Sequence, residues 1–427
     1  MIRLYTPILP IRSGTANFGS LVVKAIAAHF PYPDRVEIVI DTRTIEPFVP
    51  GGRVPTHVHG IMVRDYREIP AISAADELRC YFLANNPFHA FVYHTLSLAG
   101  RASQGHSIGL VHEPSCSMLS EELAKDGAYT FDQVQYMDAL EIQYGRKAQK
   151  FFDDKRAGNL PAGFDYSTIG FASYALQCTE VWCQSSYSML KLLLETRVTE
   201  EHLPVLQLTS HPLYHEDSES RILPSEIIKS KTPDVFRVGA FGWMSDSKRI
   251  LQLIRAFGLF LDRLTPEQGR HVELVLVGKL PPADDLDVAG EIRKLDLQDN
   301  VELFDFVSDA IFARLVRTCD IISNLRFPSC GETSGTLAHG HESGARVIVS
   351  SYQAFASEIS DFRVPIILGF EEIAVSNILA RAYAEWATAH RVSAASSQYE
   401  RKISLTEPVA TDKYLLYRCF EHMLKYY

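Results

Sequence analysis

The stretch CDIISNLRFPSCGETSGTLAHGHESGARVIVS, Cys319–Ser350, decides how this chain is read. It opens on a short apolar run, CDIIS, with the character of a buried strand. It closes on another, ARVIVS, and TLAHGHESGA between them has the make-up of a short helix. Strand, loop, helix and strand in that order make a βαβ unit, whose two strands must run parallel. The loop carries Arg326, Gly331, Glu332, Thr333, Ser334 and Gly335, with Thr336 following. A glycine-rich helix N-terminus gathers unpaired N–H groups and forms an anion site. Thr333 and Ser334 add hydroxyls, and Arg326 adds a fork suited to phosphate. A carboxylate is out of place beside phosphate, so Glu332 is better suited to ligand hydroxyls. Polyol plus phosphate points to a nucleotide sugar. A capped surface loop would have the same composition.

The same alternation runs along the whole chain. IRLYTPI (2–8), RVEIVID (35–41), LRCYFLAN (78–85), SIGLVH (107–112), EVWCQS (180–185) and LPVLQL (203–208) have strand character, and FGSLVVKAIAAHF (18–30) has helical spacing. After a polar segment, HEDSESRILPSEIIKSKTPD (215–234), it restarts with VFRVGAF (235–241), VELVLVG (272–278), VELFDF (301–306), DIISNL (320–325), RVIVS (346–350) and VPIILG (364–369). Short, nearly all-apolar strands are those of parallel sheets buried on both faces. The expected fold is α/β, with two doubly wound, Rossmann-like parallel-sheet domains facing across a cleft. The expected division is 1–215, a linker at 216–234, a second domain at 235–405, and a C-terminal helix in 406–427 packing back on the first domain. An aromatic-rich segment, 113–167, is long for a connection and is either a cover over an acceptor or a structural insertion.

The chain has 427 residues and a formal net charge of -10, which argues against nucleic-acid binding because phosphate backbones need a basic surface. No apolar run approaches the ~20 residues of a membrane helix. The beginning, MIRLYTPILPIRSG, has no signal-like apolar region. The seven cysteines are scattered without a CxxC pair and are expected to be reduced core thiols of a cytoplasmic protein. His57 and His59 are not readily placed to hold one ion; His339, His341 and Glu342 come closer to metal-like spacing, but no further ligand site stands out beside them, so no metal is expected.

Three further motifs each follow an expected strand, where open parallel sheets bind ligands. ILPIRSGTANFG (8–19) brings Gly14, with Asn17 as a candidate helix cap. LANNPFHAFVYH (83–94) brings Asn85, Asn86 and His89, and GLVHEPS (109–115) brings His112 and Glu113. VGAFGWMSDSKRIL (238–251) brings Lys248 and Arg249 to a helix start, where cations oppose the helix dipole unless an anion binds.

Taken together, these motifs resemble family 4 glycosyltransferases of the GT-B fold over about residues 1–390. PILPIRSGTANF is similar to the family's P-L-P-P-x-x-S-G-I-A-x-Y, LANNPFHAFVYH to its G-N-N-P-F-H-x-Y, and LVHEP to its L-H-D. VGAFGWMSDSKRI is similar to G-x-F-G-x-x-x-x-x-K-G, and NLRFPSCGETSG to N-L-R-x-P-x-x-G-E-T-S-G. The resemblance implies a retaining, metal-independent hexosyltransferase with a front-face mechanism. It would move sugar from a nucleotide-diphosphate donor, expected to be UDP- or GDP-linked, to a glycan or lipid-linked glycan in polysaccharide biosynthesis. It places Lys248 and Arg326 at the diphosphate, and Thr333, Ser334, Gly335 and Thr336 at the phosphates. Glu332 would hold sugar hydroxyls, Gly14 would approach the phosphate, and His112 would face the sugar. Asn86, His89 and Glu113 are the candidate acceptor contacts. No further cofactor is implied. Peripheral membrane contact and a homo-oligomer stay open. The chain departs from the pattern at Trp243, where many members carry Arg, and at His339, where a ribose-binding Glu would fall. A nucleotide-sugar epimerase of the same fold, or a degenerate binding or scaffold protein, remain the alternatives.

Overall fold

In the computed structural model, residues 1–395 are described, apart from 12, 100–104, 128, 130, 162, 197–203, 210–233 and 368. The chain divides into two compact units. One takes described residues 1–209 together with Pro328–Thr333; the other takes 234–327 and 334–395. Nearly all of the expected linker, 216–234, and the whole expected C-terminal helix, 406–427, lie outside the described residues.

The first unit is built on eight strands: Ile2–Tyr5 (β1), Val36–Ile40 (β2), His57–Val58 (β3), Ile61–Asp65 (β4), Leu78–Leu83 (β5), His106–Val111 (β6), Glu180–Cys183 (β7) and Val205–Leu208 (β8). Their order is β3-β4-β2-β1-β5-β6-β7-β8. Every neighbouring pair is parallel except β3 with β4. Strands β3 and β4 escape the sequence reading because they are short and β4 alternates buried with exposed residues, as one partly covered face requires.

The second unit holds six strands: Phe236–Phe241 (β9), Val272–Val277 (β10), Val301–Phe304 (β11), Ile321–Asn324 (β12), Arg346–Ser350 (β13) and Phe362–Val364 (β14). Their order is β11-β10-β9-β12-β13-β14, all parallel. The last strand is FRV rather than the expected VPIILG: Pro365 has no N–H to give a ladder, so pairing stops at Val364. Each β9 residue is buried, which is why FRVGAF has no polar face to alternate. The expected α/β class with two doubly wound sheets is the fold observed.

Strand order reverses twice, between β1 and β5 and between β9 and β12. At such a point consecutive chains leave to opposite faces and open a crevice at the carboxyl edge. The helix Gly14–His29 follows β1; it is capped by Ser13, whose hydroxyl accepts the Ala16 N–H at 3.0 Å, and it buries Phe18, Val22, Val23 and Ile26. Asn17 therefore lies inside the helix and is not its cap. The helix Gly335–Ser343 follows β12 and ends on Gly344 in the left-handed region, φ 73°.

All six described cysteines are free and buried. Burial pushes the thiols of Cys178 and Cys183 up to about 12, so they stay protonated. Among the described residues no helix is long and apolar enough to cross a membrane.

In the second unit the turns after β9 and β10 touch through glycine. A Cβ on Gly278, φ 143°, would collide with the Gly242 carbonyl, and Met244 N–H donates to the Lys279 carbonyl at 3.0 Å. Gly278→Ala should therefore cost roughly 1–3 kcal/mol, read as a lower midpoint of urea unfolding; an unchanged midpoint would show that this turn is not constrained.

Candidate functional site

The carboxyl edge of the first sheet gathers one group of candidate residues. Gly14 is the first residue of its helix and is exposed, and a Cβ there would meet nothing within 4 Å. Its φ is not in the left-handed region. Across the β1–β5 reversal, Asn86 donates from Nδ2 to Thr15 Oγ1 at 2.8 Å and accepts the Phe88 N–H on Oδ1 at 3.1 Å. One side chain thus ties the start of a helix to the turn after β5. Glu113 braces the same edge: its Oε2 accepts the Asn85 N–H at 2.6 Å. Both acceptor candidates are engaged in holding loops.

His89 differs from its expected role. It is fully buried, with Nδ1 2.7 Å from the Phe82 carbonyl and Nε2 without a described partner. A ring with no exposed surface offers nothing for an acceptor to meet. Burial pushes its pKa down to about 4, only partly offset by the Phe82 carbonyl. His112 closes β6; its N–H donates to the Leu83 carbonyl at 2.9 Å, and its ring meets Phe18 edge-on with centroids 4.4 Å apart. The rings of His89 and His112 are 6.2 Å apart.

The segment Pro328–Thr333 packs onto this edge as part of the first unit. Ser115 N–H donates to the Cys330 carbonyl at 3.2 Å, Ser188 Oγ to the Gly331 carbonyl at 3.1 Å, and Thr333 Oγ1 to Gln184 Oε1 at 2.7 Å. Gly331 sits at φ 83°, where a Cβ would lie 2.7 Å from both Pro114 and Tyr187. Only glycine satisfies both the dihedral and the space. Glu332 turns one oxygen inward: Oε2 accepts from Ser329 Oγ at 2.7 Å and Cys330 N–H at 2.9 Å. That carboxylate shapes the loop, a role the sequence did not suggest. Sequence reasoning also missed Gln184 and Ser188, because a Gln and a Ser after a strand carry no signal until the loop from residue 328 onward is seen against them.

The carboxyl edge of the second sheet holds the other group. Ser334 caps the helix Gly335–Ser343; its Oγ accepts the Leu337 N–H at 3.3 Å and donates to Asn324 Oδ1 at 2.8 Å. Asn324 Nδ2 is buried and has no partner among the described residues. A donor without an acceptor, beside the orphan N–H groups of a helix start, suits an anion. Thr336, two residues after the cap, is buried.

Lys248 lies in a tight turn, Asp246–Lys248, and its Nζ donates to the Phe241 carbonyl at 2.7 Å. Gly242, φ 89°, gives Nζ its space, since a Cβ there would collide with it. The expected clash of Lys248 and Arg249 with a helix dipole is resolved differently. The helix begins at Ile250, and the Arg249 guanidinium pairs with Glu371 at 2.8 Å, a carboxylate in the first turn of the helix Glu371–Ala395. Arg326 N–H donates to Ser350 Oγ at 2.8 Å, and its guanidinium lies 5.8 Å from the Phe355 ring centroid. Trp243 is 54% exposed, with Lys279 Nζ 5.1 Å from its ring centroid. Lys279 was legible only as a cation ending VELVLVGK. His339 pairs with Glu342 at 3.8 Å.

Neither a family model nor a curated protein sequence matches the chain. Solved structures match its fold over its full length. Anabaena HepE in complex with UDP and glucose is 16% identical and covers 100% of both chains at a TM-score of 0.56. Sucrose-phosphate synthase from Thermosynechococcus elongatus is 13% identical over 100% of this chain and 99% of its own, TM-score 0.59. WaaG, a glycosyltransferase involved in lipopolysaccharide biosynthesis, is 13% identical over 99% of each chain, TM-score 0.53. At these identities the likeness shows the fold, which is GT-B, the fold of these glycosyltransferases.

The buried His89 sets a pH dependence. The native state holds the imidazole neutral down to about pH 4, whereas the unfolded chain takes up the proton near 6.5. This stabilisation is complete above pH 6.5 and is lost as pH falls towards 4, about 3 kcal/mol in all. His89→Gln should flatten the fall of denaturation free energy over that window; an unchanged slope would place the proton uptake elsewhere.

Proposed function

We propose that this protein is a glycosyltransferase that moves a sugar from a nucleotide-diphosphate donor to a glycan or lipid-linked glycan acceptor. The observation that carries this reading is the start of the helix Gly335–Ser343, where the buried Asn324 Nδ2 has no acceptor among the described residues beside the capping Ser334. The GT-B fold and the whole-length likeness to structures holding UDP or UDP-glucose support it.

As the sugar–phosphate bond breaks, the nucleotide diphosphate gathers negative charge while the sugar becomes oxocarbenium-like. Groups already fixed where charge develops lower the barrier without reorganising. In this reading the N–H groups of Gly335 and Thr336 take the phosphates, and the Thr333 and Ser334 hydroxyls exchange their acceptors, Gln184 Oε1 and Asn324 Oδ1, for phosphate oxygens. Lys248 exchanges its Phe241 carbonyl for a phosphate oxygen, and Arg326 adds a second cation. These groups supply the charge stabilisation, so no metal is called for. Retention follows from front-face attack, with the leaving phosphate helping to remove the acceptor proton. Gly14, His112 and Glu332 keep the phosphate-approaching and sugar-holding roles that the resemblance implies. UDP is the favoured carrier, with GDP the alternative.

A thermal-shift panel of UDP, GDP and their sugar conjugates tests the reading. At 100 times its dissociation constant a true ligand adds ~2.7 kcal/mol of stability. Lys248→Ala should abolish the shift and cut transfer roughly a hundredfold. No shift with any nucleotide would sink the proposal, and sugar-nucleotide conversion without an acceptor would favour an epimerase.

A further inference from the structure

At the carboxyl ends of β2 and β4, two arginine–aspartate pairs stand side by side. These strands are parallel neighbours, with Ile40 opposite Asp65. Arg43 grips Asp41 with Nε and Nη2 at 3.0 and 2.7 Å; Arg67 grips Asp65 with the same two atoms at 2.7 and 2.9 Å. Thr42, between Asp41 and Arg43 in the chain, braces the second pair: its Oγ1 donates to Asp65 at 2.6 Å and accepts from Arg67 at 3.2 Å. The carboxylates are inside and the cations outside: the Asp41 and Asp65 side chains are 0% and 8% exposed, those of Arg43 and Arg67 53% and 51%.

That inequality matters. A buried carboxylate needs a charge partner, and lysine would serve. A guanidinium clamped through Nε and Nη2 still presents its Nη1 end as a rigid outward edge: Nη2 of Arg43 also donates to Tyr66 Oη at 3.0 Å and Nη2 of Arg67 to Thr42 Oγ1, whereas Nη1 of both arginines donates to no described residue. Side-by-side edges of this kind suit a planar or tetrahedral oxyanion. The clamp is itself braced. Tyr129, from the long segment between β6 and β7, donates to Asp41 at 2.6 Å, and its φ of 55° is one that a non-glycine residue holds at a cost of about 1–2 kcal/mol. Its ring and that of Tyr66 lie 5.5 and 5.9 Å from the Arg43 guanidinium, giving aromatic surface beside the cation.

We propose that Arg43 and Arg67 form a binding subsite for an oxyanion, the phosphoryl or carboxylate group of a glycan acceptor. The anion site stands on the geometry of the first unit alone; its assignment to the acceptor rests on the glycosyltransferase reading. The segment 113–167 then contributes a brace to the acceptor site through Tyr129.

The test labels arginines of the full chain with phenylglyoxal and maps them by peptide mass spectrometry, with glucose 1-phosphate, glucuronate or glucose present. Modification of Arg43 and Arg67 should slow with an anionic sugar and not with glucose, while the exposed Arg381 keeps its rate. Protection by glucose 1-phosphate alone assigns a phosphoryl group, and by glucuronate alone a carboxylate. Arg43→Lys keeps the charge on Asp41 without the outward edge, and should weaken binding of the protecting sugar about tenfold with UDP stabilisation unchanged. Equal modification under all three conditions overturns the anion site. Protection in a chain that UDP does not stabilise overturns the assignment to an acceptor while the anion site holds.

Discussion

Parallel pairing of β9 with β12, where strand order reverses, is the constraint on which the rest depends. A parallel sheet must return its chain by crossovers, and at the reversal the crossovers depart to opposite faces. The turn carrying Lys248 and the helix capped by Ser334 are therefore brought to one crevice by topology. The same constraint acts in the first unit between β1 and β5, where Asn86 bonds Thr15.

Small residues make the close approaches at these edges. Gly278 lies against Gly242, which leaves room for the Lys248 ammonium, and Gly331 fits against Pro114 and Tyr187. Polar side chains then fix what glycine leaves loose. Glu332, Gln184 and Ser188 hold the segment Pro328–Thr333 by hydrogen bonds, and Glu371 takes the charge of Arg249. Within the first unit the segment Pro328–Thr333 is held by several hydrogen bonds from groups largely removed from water. The Asn324 Nδ2 group, buried without an acceptor among the described residues, is then informative.

Much of the architecture was legible because parallel strands are short apolar runs and the helices between them have a different period. Strands β2, β5, β6, β9, β10 and β13 fall where the apolar runs predict them. Where pattern and structure part, the cause is local. Strand β4 alternates because one side is less covered, and β14 ends where Pro365 can no longer pair. Asn17 has the chemistry of a cap, but Ser13 stands at the residue where the chain turns helical. Lys248 and Arg249 are adjacent in sequence, yet one meets a carbonyl and the other a carboxylate 122 residues away.

The sequence by itself determined the two doubly wound sheets and the strand ends at which the polar motifs cluster. Those follow from periodicity and from chain order, which are local properties. Only the tertiary structure decided what each polar side chain does. It turned Glu332 toward its own loop, buried His89, and set the Asp41 and Asp65 carboxylates behind their arginines. Those outcomes depend on desolvation and on partners far along the chain, which no spacing of residues encodes.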